Sequence, residues 1–375
     1  MSRRHVFASL GLLAASSLAL AGCASAASSD AAASDGVDAA AATSLEDFGS
    51  FEALEEAAKA EGALNVIALP RDWANYGEIL DLFAERYPEI AIEEQSPDVS
   101  SAEEIQAAEA NAGLDTAPDV FDLGLTVALQ NTDAFAPYQV ETWDDIPEEL
   151  KHPDGLFVGD YGGYMSIGYD SAQFDEPTSL DDLLGSDFAG SVAINGDPTQ
   201  AGAAFAAVGL ATVQSGGTLD DFQPGIDFFS ELNAAGNLLK VDVTSATVAS
   251  GETPVVFDWD YLNAAHSAEN PDWKTVVLDG TGYAGYYNQA INADAPHPAA
   301  ARLWQEFLYS DEVQNLWLKG GARPVRADAM AAAGTIDEEL YAALPEAPAE
   351  TVVPTEQQSA DAGTLLGESW ASAVE

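Results

Sequence analysis

Short apolar segments alternate with amphipathic segments along most of this 375-residue chain, and this alternation constrains the fold more than any other feature. Residues 64–69, 90–93 and 120–123 are short apolar runs typical of buried strands. Between them, residues 76–87 carry apolar side chains at helical spacing, and residues 101–112 begin with Ser-Ala-Glu-Glu, which resembles the capping box of a helix. Strands that alternate with helices favour an α/β fold, here predicted as a parallel sheet with helices on both faces.

The second half of the chain again alternates strands with helices, after a central segment of different composition. Residues 156–169 mix glycine, aromatic and apolar residues, which predicts extended strands that cross between lobes. Beyond them we predict strands at 192–194, 254–258, 274–278 and 286–292, helices at about 200–215 and 225–235, and one amphipathic helical region at 298–320. About 330 residues follow the first 44, more than the ~250–300 that one core usually holds. We therefore expect a first lobe of 45–160 with 290–330, a second lobe of 161–289, and a C-terminal helical segment at 331–375.

The N-terminus has the features of an export signal. Two arginines precede an apolar stretch, 6–20, that is shorter than the ~20 residues of a membrane-spanning helix. The stretch ends in Leu20-Ala21-Gly22-Cys23, which is similar to a lipobox, where a peptidase cuts before a cysteine whose sulfur carries a lipid. Cys23 is the only cysteine, so we predict a signal peptide at 1–22, lipidation of Cys23 and no disulfide. The alternative is an ordinary secretion signal that contains a cysteine.

Residues 23–44 consist mainly of Ala, Ser, Asp and Gly, with almost no large apolar side chain. Such a segment cannot bury enough surface to order itself, so we predict a flexible tether. Anchor and tether together predict a protein held on the outer face of the cytoplasmic membrane.

The chain is strongly acidic, with 63 Asp and Glu against 12 Lys and Arg and a formal net charge of −51. A field of this sign repels nucleic acid and anionic lipid head groups, so a nucleic-acid partner is not expected. The same field would concentrate a cationic solute near a cleft. Acidic residues on exposed faces also keep a protein soluble, notably at high salt, so the charge alone leaves both interpretations open.

The sequence contains no recognisable catalytic motif. It has no Gly-x-Ser-x-Gly elbow, no Walker loop and no His-Glu-x-x-His, and its four histidines lack metal-ligand spacing. We therefore predict a protein that is not an enzyme and needs no cofactor or metal. Acidic pairs are abundant, so a lipid-anchored two-carboxylate hydrolase remains an alternative. A binding protein that reports to a receptor is another.

Several segments, in order between residues 45 and 330, together carry a family resemblance. They are Gly62–Val66 after a helix ending in Glu-Ala-Ala-Lys-Ala-Glu, Ala117–Asp122, Ala249–Val256, 294–301 leading into 307–314, and Gly320–Arg326. The set resembles the solute-binding proteins of ABC importers, in the periplasmic-binding-protein type 2 group that serves iron, thiamine and polyamines. This resemblance implies two α/β lobes that close by hinge bending around a ligand cleft. It also implies a monomer that delivers its solute to a membrane permease with a cytoplasmic ATPase.

Candidate ligand-binding residues are aromatic or polar side chains close to strand ends, because a small solute is held by a few polar groups on a mostly aromatic wall. They are Trp73, Asn75, Tyr76, Asp122, Tyr161, Tyr164, Asp197, Asp258, Trp259, Asp260, Tyr286 and Tyr287.

The block from Asp258 to Tyr261 is the strongest of these candidates. An indole face beside carboxylates suits an ammonium group, through cation–π attraction and charge-assisted hydrogen bonds. In polyamine-binding relatives an aromatic residue at the end of the corresponding strand lines the cleft, and Trp259 matches that place. The structural alternative is that Trp259 packs beneath a helix that the aspartates cap. We predict a polyamine or similar organic cation, with ferric iron, thiamine or a phosphonate as alternatives.

Two further candidates each have a competing interpretation. Tyr286 and Tyr287 resemble the phenolate pair of ferric-ion-binding family members, but neighbours on a strand point to opposite faces, so one of them is expected to reach the cleft. Asp197 precedes a helix whose N-terminus could seat a phosphonate, yet its carboxylate would oppose an anion, and a helix cap is the alternative.

Overall fold

The computed structural model describes residues 37–268 and 270–374. The predicted signal peptide and Cys23 lie outside these residues, as does most of the predicted tether. The helices are Phe51–Glu61 (α1), Tyr76–Arg86 (α2), Ser101–Ala110 (α3), Leu125–Gln130 (α4), Leu180–Leu183 (α5), Gly202–Gln214 (α6), Gln223–Ala234 (α7), Ser245–Ala249 (α8), Asp260–Ala265 (α9), Pro298–Leu308 (α10), Asp311–Lys319 (α11), Ala327–Ala333 (α12), Glu338–Ala343 (α13) and Glu356–Ala373 (α14). The strands are Ala63–Ile67 (β1), Ala91–Gln95 (β2), Val120–Gly124 (β3), Phe135–Ala136 (β4), Val158–Asp170 (β5), Val192–Ile194 (β6), Val255–Trp259 (β7), Trp273–Val276 (β8), Thr281–Asn292 (β9), Arg323–Pro324 (β10) and Glu350–Val352 (β11).

A large mixed sheet, in which β5 and β9 are the longest strands, runs through the protein. β3 and β4 pair antiparallel with β9, and β7 and β8 pair antiparallel with β5. β6 extends the sheet in parallel from β7, and β1 and β2 form a separate parallel pair. The predicted parallel sheet is therefore confirmed for these two pairs, but the prediction was wrong for β3. A short apolar run indicates a strand without indicating its partner, and here the partner is a strand far along the chain.

Residues Val158–Asp170 form β5, so the extended structure predicted at 156–169 is confirmed. This strand connects the two ends of the sheet. Its first half pairs with β9 and its second half pairs with β7 and β8. Two glycines permit the close packing at its middle: a Cβ at Gly162 would overlap the backbone of Gly285, and a Cβ at Gly163 would overlap the carboxylate of Asp260. These contacts bring β5, β9 and the start of α9 together.

The predicted helical region 298–320 is two helices in the structure. α10 ends at Leu308, and Ser310 begins α11 as its N-cap, accepting a hydrogen bond from the backbone N–H of Val313 at 3.4 Å. The apolar face of α10 carries Trp304, whose ring contacts that of Phe83 on α2 with centroids 5.2 Å apart. The amphipathic pattern runs through both helices, which is why it did not reveal the break.

The first described residues are bound to α10 rather than free. The buried guanidinium of Arg302 donates to the carbonyl oxygens of Ala42 and Ala40 at 2.8 and 2.9 Å, and it lies over the Tyr138 ring. Residues 37–44, predicted as the end of the flexible tether, are therefore ordered against the folded body. The composition of the segment did not predict this order, because the hydrogen bonds are made by backbone carbonyl groups rather than by its side chains.

The predicted C-terminal helical segment is an integral part of the fold. Trp370 on α14 packs edge-on against Phe229 of α7, with centroids 5.5 Å apart. Gly363 on the same helix lies against Thr126 and Gln130 of α4. α14 therefore joins α4, in the expected first lobe, to α7, in the expected second. Within the described ranges, no helix is long and apolar enough to cross a bilayer.

Candidate functional site

Six aromatic side chains meet where β5, β9, α2, α9 and α11 converge. This aromatic cluster consists of Trp73, Tyr76, Tyr161, Tyr261, Tyr287 and Trp317. Tyr161 is central: its ring stacks on Tyr287 with centroids 5.7 Å apart, and it meets Tyr76 and Tyr261 edge-on at 5.8 Å. The cluster is a wall of ring faces and hydroxyl groups drawn from distant parts of the chain.

Asp122, in the middle of β3, is the acceptor for two hydroxyl groups of this cluster. Its Oδ2 accepts hydrogen bonds from Tyr161 Oη at 2.8 Å and from Tyr76 Oη at 3.1 Å. Trp73 Nε1 in turn donates to Tyr161 Oη at 2.8 Å. The other oxygen, Oδ1, is buried and has no hydrogen-bond partner among the described residues.

Two more acidic side chains, Asp160 and Glu104, lie close to Asp122. Gln289 Nε2 donates to Asp160 Oδ2 at 2.9 Å and to Tyr76 Oη at 3.0 Å, which ties Asp160 into the same network. The carboxylate of Glu104 accepts a hydrogen bond from the backbone N–H of Asp122 at 3.0 Å. Both side chains are buried, so three acidic groups share one solvent-excluded region.

Asp258 and Asp260 face the cluster from its other side, at the end of β7 and the start of α9. Asp258 Oδ2 accepts a hydrogen bond from Asn195 Nδ2 at 2.8 Å, and its Oδ1 accepts one from the backbone N–H of Trp259 at 2.8 Å. Asp260 Oδ1 accepts from the backbone N–H groups of Tyr164 and Tyr261, both at 3.1 Å. Asp260 Oδ2 is buried and lacks a partner in the described part of the chain.

Tyr261 lies between the two sets of carboxylates. Burial and then the charges of Tyr287, Asp258, Asp122 and Asp260 raise the pKa of Tyr261 well above its ordinary value, so all three aspartates act on one hydroxyl group. That hydroxyl is buried without a partner among residues 37–268 and 270–374. Buried polar atoms are normally paired, so unpaired ones that converge on one place make this region a candidate binding site.

Trp259 forms one surface of this place. A Cβ at Gly285 would overlap its ring, so only glycine lets β9 pass against the indole. The ring also packs at 6.4 Å from that of Tyr283, and its Nε1 has no partner within the described ranges. Trp259 thus packs directly against β9 at Gly285, and its unpaired Nε1 is a hydrogen-bond donor close to Asp258 and Asp260.

Burial makes all five acidic groups reluctant to ionise. It raises the pKa of Asp258 to about 7 and the pKa of Asp260 to about 6. It likewise raises the pKa of Asp122, Asp160 and Glu104, and the negative charge of Asp122 adds to the effect on the other two. In the described structure the cation that opposes this is Arg323, whose charge lowers the pKa of Asp260. Its guanidinium lies 4.6 Å over the Tyr164 ring and donates to the carbonyl oxygen of Pro345.

These shifts predict how stability depends on pH. A carboxyl group with a raised pKa binds its proton more tightly in the folded protein than in the unfolded chain, so this stabilisation is lost as the pH rises through about 6 to 7. We expect the free energy of unfolding of the ligand-free protein to fall by on the order of a few kcal/mol between pH 5 and pH 8. Thermal unfolding across this range measures it. The Asp258→Asn/Asp260→Asn double variant should show a shallower slope, and a melting temperature that rises with pH would contradict the expectation.

The structure brings most of the predicted site residues together. Trp73, Tyr76, Asp122, Tyr161 and Tyr287 are in direct contact, and Asp258, Trp259 and Asp260 adjoin them. Tyr164 contributes its backbone N–H to Asp260.

Tyr286 and Tyr287 lie on opposite faces of β9. Arg323, Tyr164, Asp328 and Tyr341 surround Tyr286, whereas Tyr287 stacks on Tyr161. The two phenol groups therefore do not form a pair of metal ligands. Among the described residues, no group of three or more His, Cys, Asp or Glu side chains could hold a metal ion.

Asn75 and Asp197 are not brought into the cluster. Asn75 Nδ2 donates to the backbone carbonyl of Leu316 at 2.9 Å. Asp197 is exposed and accepts from the backbone N–H and the hydroxyl of Thr199, at 2.8 and 2.6 Å, in the turn before α6. Both polar groups are taken up by hydrogen bonds outside the cluster. The helix cap raised as the alternative for Asp197 is not observed either, because Ala201 is the N-cap of α6.

Sequence reasoning missed Trp317, Asp160, Gln289 and Glu104 as members of the site. Tyr261 was included through the block 258–261. Glu104 and Gln289 gave no signal, because a polar residue inside a helix or a strand looks like any surface position.

A separate surface cavity of about 350 Å³ lies between α5 and α7. Its lining includes Asp181, Asp227, Phe228 and Glu231, and none of its lining residues belongs to the aromatic cluster. It is a second place where a small molecule could lodge.

A family model described as bacterial extracellular solute-binding protein matches residues 116–346. No curated protein sequence matches the chain significantly.

Solved structures resemble the chain along most of its length. The periplasmic binding protein MotA from A. tumefaciens B6, in complex with glucopine, has 16% identity and a TM-score of 0.66, covering 84% of this chain and 100% of that one. The periplasmic binding protein AfuA from Actinobacillus pleuropneumoniae, with fructose-6-phosphate bound, has 16% identity and a TM-score of 0.65, covering 84% and 98%. A putative spermidine/putrescine ABC transporter from Listeria monocytogenes has 14% identity and a TM-score of 0.64, covering 83% and 99%.

At such low identity these structures show the fold, which is the two-lobed α/β fold of periplasmic binding proteins, with a ligand cleft between the lobes. The fold class predicted from the sequence is confirmed. The family model matches more than half of the chain. The chain therefore belongs to the family of bacterial extracellular solute-binding proteins.

Proposed function

We propose that this protein captures a small organic cation, a polyamine or similar amine, in the cleft around the aromatic cluster. The observation that carries the proposal is the set of buried, unpaired oxygens of Asp122, Asp260 and Tyr261, which converge from both sides of the cluster. An ammonium group supplies the donors that these oxygens lack and the positive charge that the carboxylates lack.

The charge balance around the cluster favours a cation over an anion. A buried carboxylate without a counter-charge costs several kcal/mol, and an anionic solute would add to that cost. Arg323 lies over Tyr164, donates to the carbonyl oxygen of Pro345 and keeps a buried Nε without a partner among the described residues, so one cation stands against five carboxyl groups. Phosphonates are therefore poor candidates.

The aromatic wall suits the rest of such a solute. Trp259, Tyr161 and Tyr287 offer ring faces to an alkylammonium group, and cation–π attraction contributes ~0.5–2 kcal/mol for each well-placed ring. One structural relative is named as a putative spermidine/putrescine transporter, while others were solved with glucopine or fructose-6-phosphate. The shared fold does not choose among solutes, so the support comes from this chain's own carboxylates.

The solute enters, in this proposal, when the lobes separate. The N-termini of α4 and α6 touch in the structure, since a Cβ at Gly124 would lie 3.0 Å from the Cα of Gly202. Ser245 and Asp72 also bond across, at 2.9 Å. We place the lobes at 45–160 with 290–330 and at 161–289, so both contacts join one lobe to the other. The ligand-free protein adopts this closed form most of the time and opens transiently, and a solute that contacts both lobes at once stabilises the closed form further.

We further propose the setting in which this binding is used. The protein is a monomer held on the outer face of the cytoplasmic membrane by lipid on Cys23. It delivers its solute to an ABC permease driven by a cytoplasmic ATPase, and it catalyses no reaction. The family match and the lipobox-like sequence support this setting.

A thermal-shift screen of the purified protein tests the solute class. We expect putrescine or spermidine to raise the melting temperature, since a ligand at 100 times its dissociation constant adds ~2.7 kcal/mol of stability. Thiamine, an aminoalkylphosphonate, ferric citrate, amino acids and fructose-6-phosphate complete the panel.

All samples need matched ionic strength, because any cation screens a chain of net charge −51. Magnesium chloride serves as the non-specific control. A shift with a phosphonate or with iron, and none with amines, would overturn the cationic assignment.

A further inference from the structure

We propose that the cleft is a proton–cation exchange site, in which buried carboxyl groups hold protons in the ligand-free closed form and release them when the organic cation binds. This inference rests on the cation-binding function proposed above.

The geometry leaves few other ways to balance the charge. Five carboxyl groups lie around the cluster, and none is more than 4% exposed: Glu104, Asp122, Asp160, Asp258 and Asp260. Ionised carboxylates cannot remain buried together without positive charge nearby. Either protons or a bound cation must therefore neutralise them when the lobes are closed.

The groups that face Asp122 from each neighbouring element supply no cation. They are Tyr76 from α2, Glu104 from α3, Asp160 and Tyr161 from β5, Tyr261 from α9, and Tyr287 and Gln289 from β9. Each is acidic or neutral at physiological pH.

The surroundings of the other two aspartates differ in one group. Asp258 faces Asn195, Tyr261 and Tyr287. Asp260 faces Tyr261, the backbone N–H of Tyr164 and the guanidinium of Arg323. One arginine thus stands against five carboxyl groups in the described part of the chain.

The atoms that would carry the protons are the ones that would bind the ligand. Asp122 Oδ1 and Asp260 Oδ2 accept no hydrogen bond from the described residues, while their partner oxygens each accept two. A proton on either free oxygen neutralises its carboxyl group without breaking any existing bond. An ammonium N–H would donate to the same oxygen, so proton and cation compete for one position.

The exchange step balances in atoms and charge. The carboxyl O–H bond breaks, its proton passes to the buffer, and the ammonium group donates to the oxygen left behind. Each ammonium group that binds at a protonated carboxyl group therefore releases one proton. The raised pKa values of Asp258, about 7, and Asp260, about 6, are consistent with protons held near neutral pH. Binding should therefore weaken about tenfold per pH unit for each displaced proton as the pH falls through this range.

Calorimetric titration with spermidine at pH 6.5, in two buffers with different heats of ionisation, tests the inference. Spermidine stays fully protonated at this pH, so it contributes no protons itself. We expect the binding enthalpies in the two buffers to differ by an amount that corresponds to at least one proton released per spermidine bound. The Asp122→Asn variant, which lacks one of the two oxygens at which proton and cation compete, should release fewer protons.

Glu306→Gln is the matched control. Burial also raises the pKa of Glu306 to about 7, but this carboxyl group accepts from Tyr138 Oη and from the backbone N–H of Glu141, away from the cluster. Its replacement should leave the proton count unchanged. Equal heats in both buffers would overturn the proton exchange and leave the cation-binding function standing. A complete lack of binding heat, with no thermal shift, would overturn both.

Discussion

Asp260→Asn is expected to weaken spermidine binding about 100-fold, while the ligand-free protein stays at least as stable as the wild type. The replacement keeps the shape of the side chain, and Oδ1 still accepts from the N–H groups of Tyr164 and Tyr261. It removes the negative charge that would face the ammonium group, and losing one partner of a buried charge pair costs ~2–5 kcal/mol of binding. It also removes a buried carboxyl group, which favours the folded ligand-free state at pH 8.

Parallel affinity and melting measurements separate these two effects. Asp197→Asn is the matched control, because Asp197 is exposed and bonds only locally to Thr199 among the described residues, so its binding should stay within about twofold of wild type. Unchanged affinity in Asp260→Asn would contradict the assignment. A variant that lost affinity and stability together would point to a structural role for the carboxylate.

Trp259→Ala should weaken spermidine binding more than tenfold, and it should also lower the free energy of unfolding by ~3–5 kcal/mol. The indole is buried against Gly285 and near Tyr283, so its removal leaves a cavity beside the carboxylates. Because instability alone could reduce binding, Trp259→Phe is the more informative variant. It keeps most of the packing but offers a weaker ring face and no Nε1 donor.

Trp304→Phe provides the comparison for this variant. Trp304 is fully buried like Trp259, and its Nε1 likewise has no partner among the described residues, but its ring packs against Phe83 and Phe307 in the core. We expect a similar loss of stability from Trp304→Phe with no change in affinity. Equal affinities for the Trp259→Phe variant and the wild type would remove Trp259 from the site.

The sequence predicted the elements well where the pattern is local. Residues 192–194 form β6 as predicted, and α2, α3 and α6 begin within about two residues of their predicted starts, as is usual for strongly periodic segments. Strand pairing was harder, because β3 joins β9, more than a hundred residues later, in the antiparallel sense. Pairing depends on which apolar surfaces meet in space, and the spacing of residues along one segment does not carry that information.

The same limit explains which site residues were found. Tyr161 was predicted because it lies in the segment expected to cross between lobes, and Asp122 because it was placed near a strand end, where side chains of α/β folds converge. Asn75 and Asp197 satisfied the same criterion, yet nearby backbone groups take up their polar atoms. Gln289 was missed because its partners Tyr76 and Asp160 are 213 and 129 positions away. A site residue such as Gln289 and a rejected candidate such as Asn75 cannot be told apart before the fold brings each one to its partner.

A crystal structure of the protein with spermidine would show where the amine binds. We expect an ammonium nitrogen within hydrogen-bonding distance of Asp260 Oδ2 or Asp122 Oδ1, with the alkyl chain against the rings of Trp259 and Tyr161. Spermidine bound instead in the surface cavity between α5 and α7, with the aromatic cluster unchanged, would contradict it.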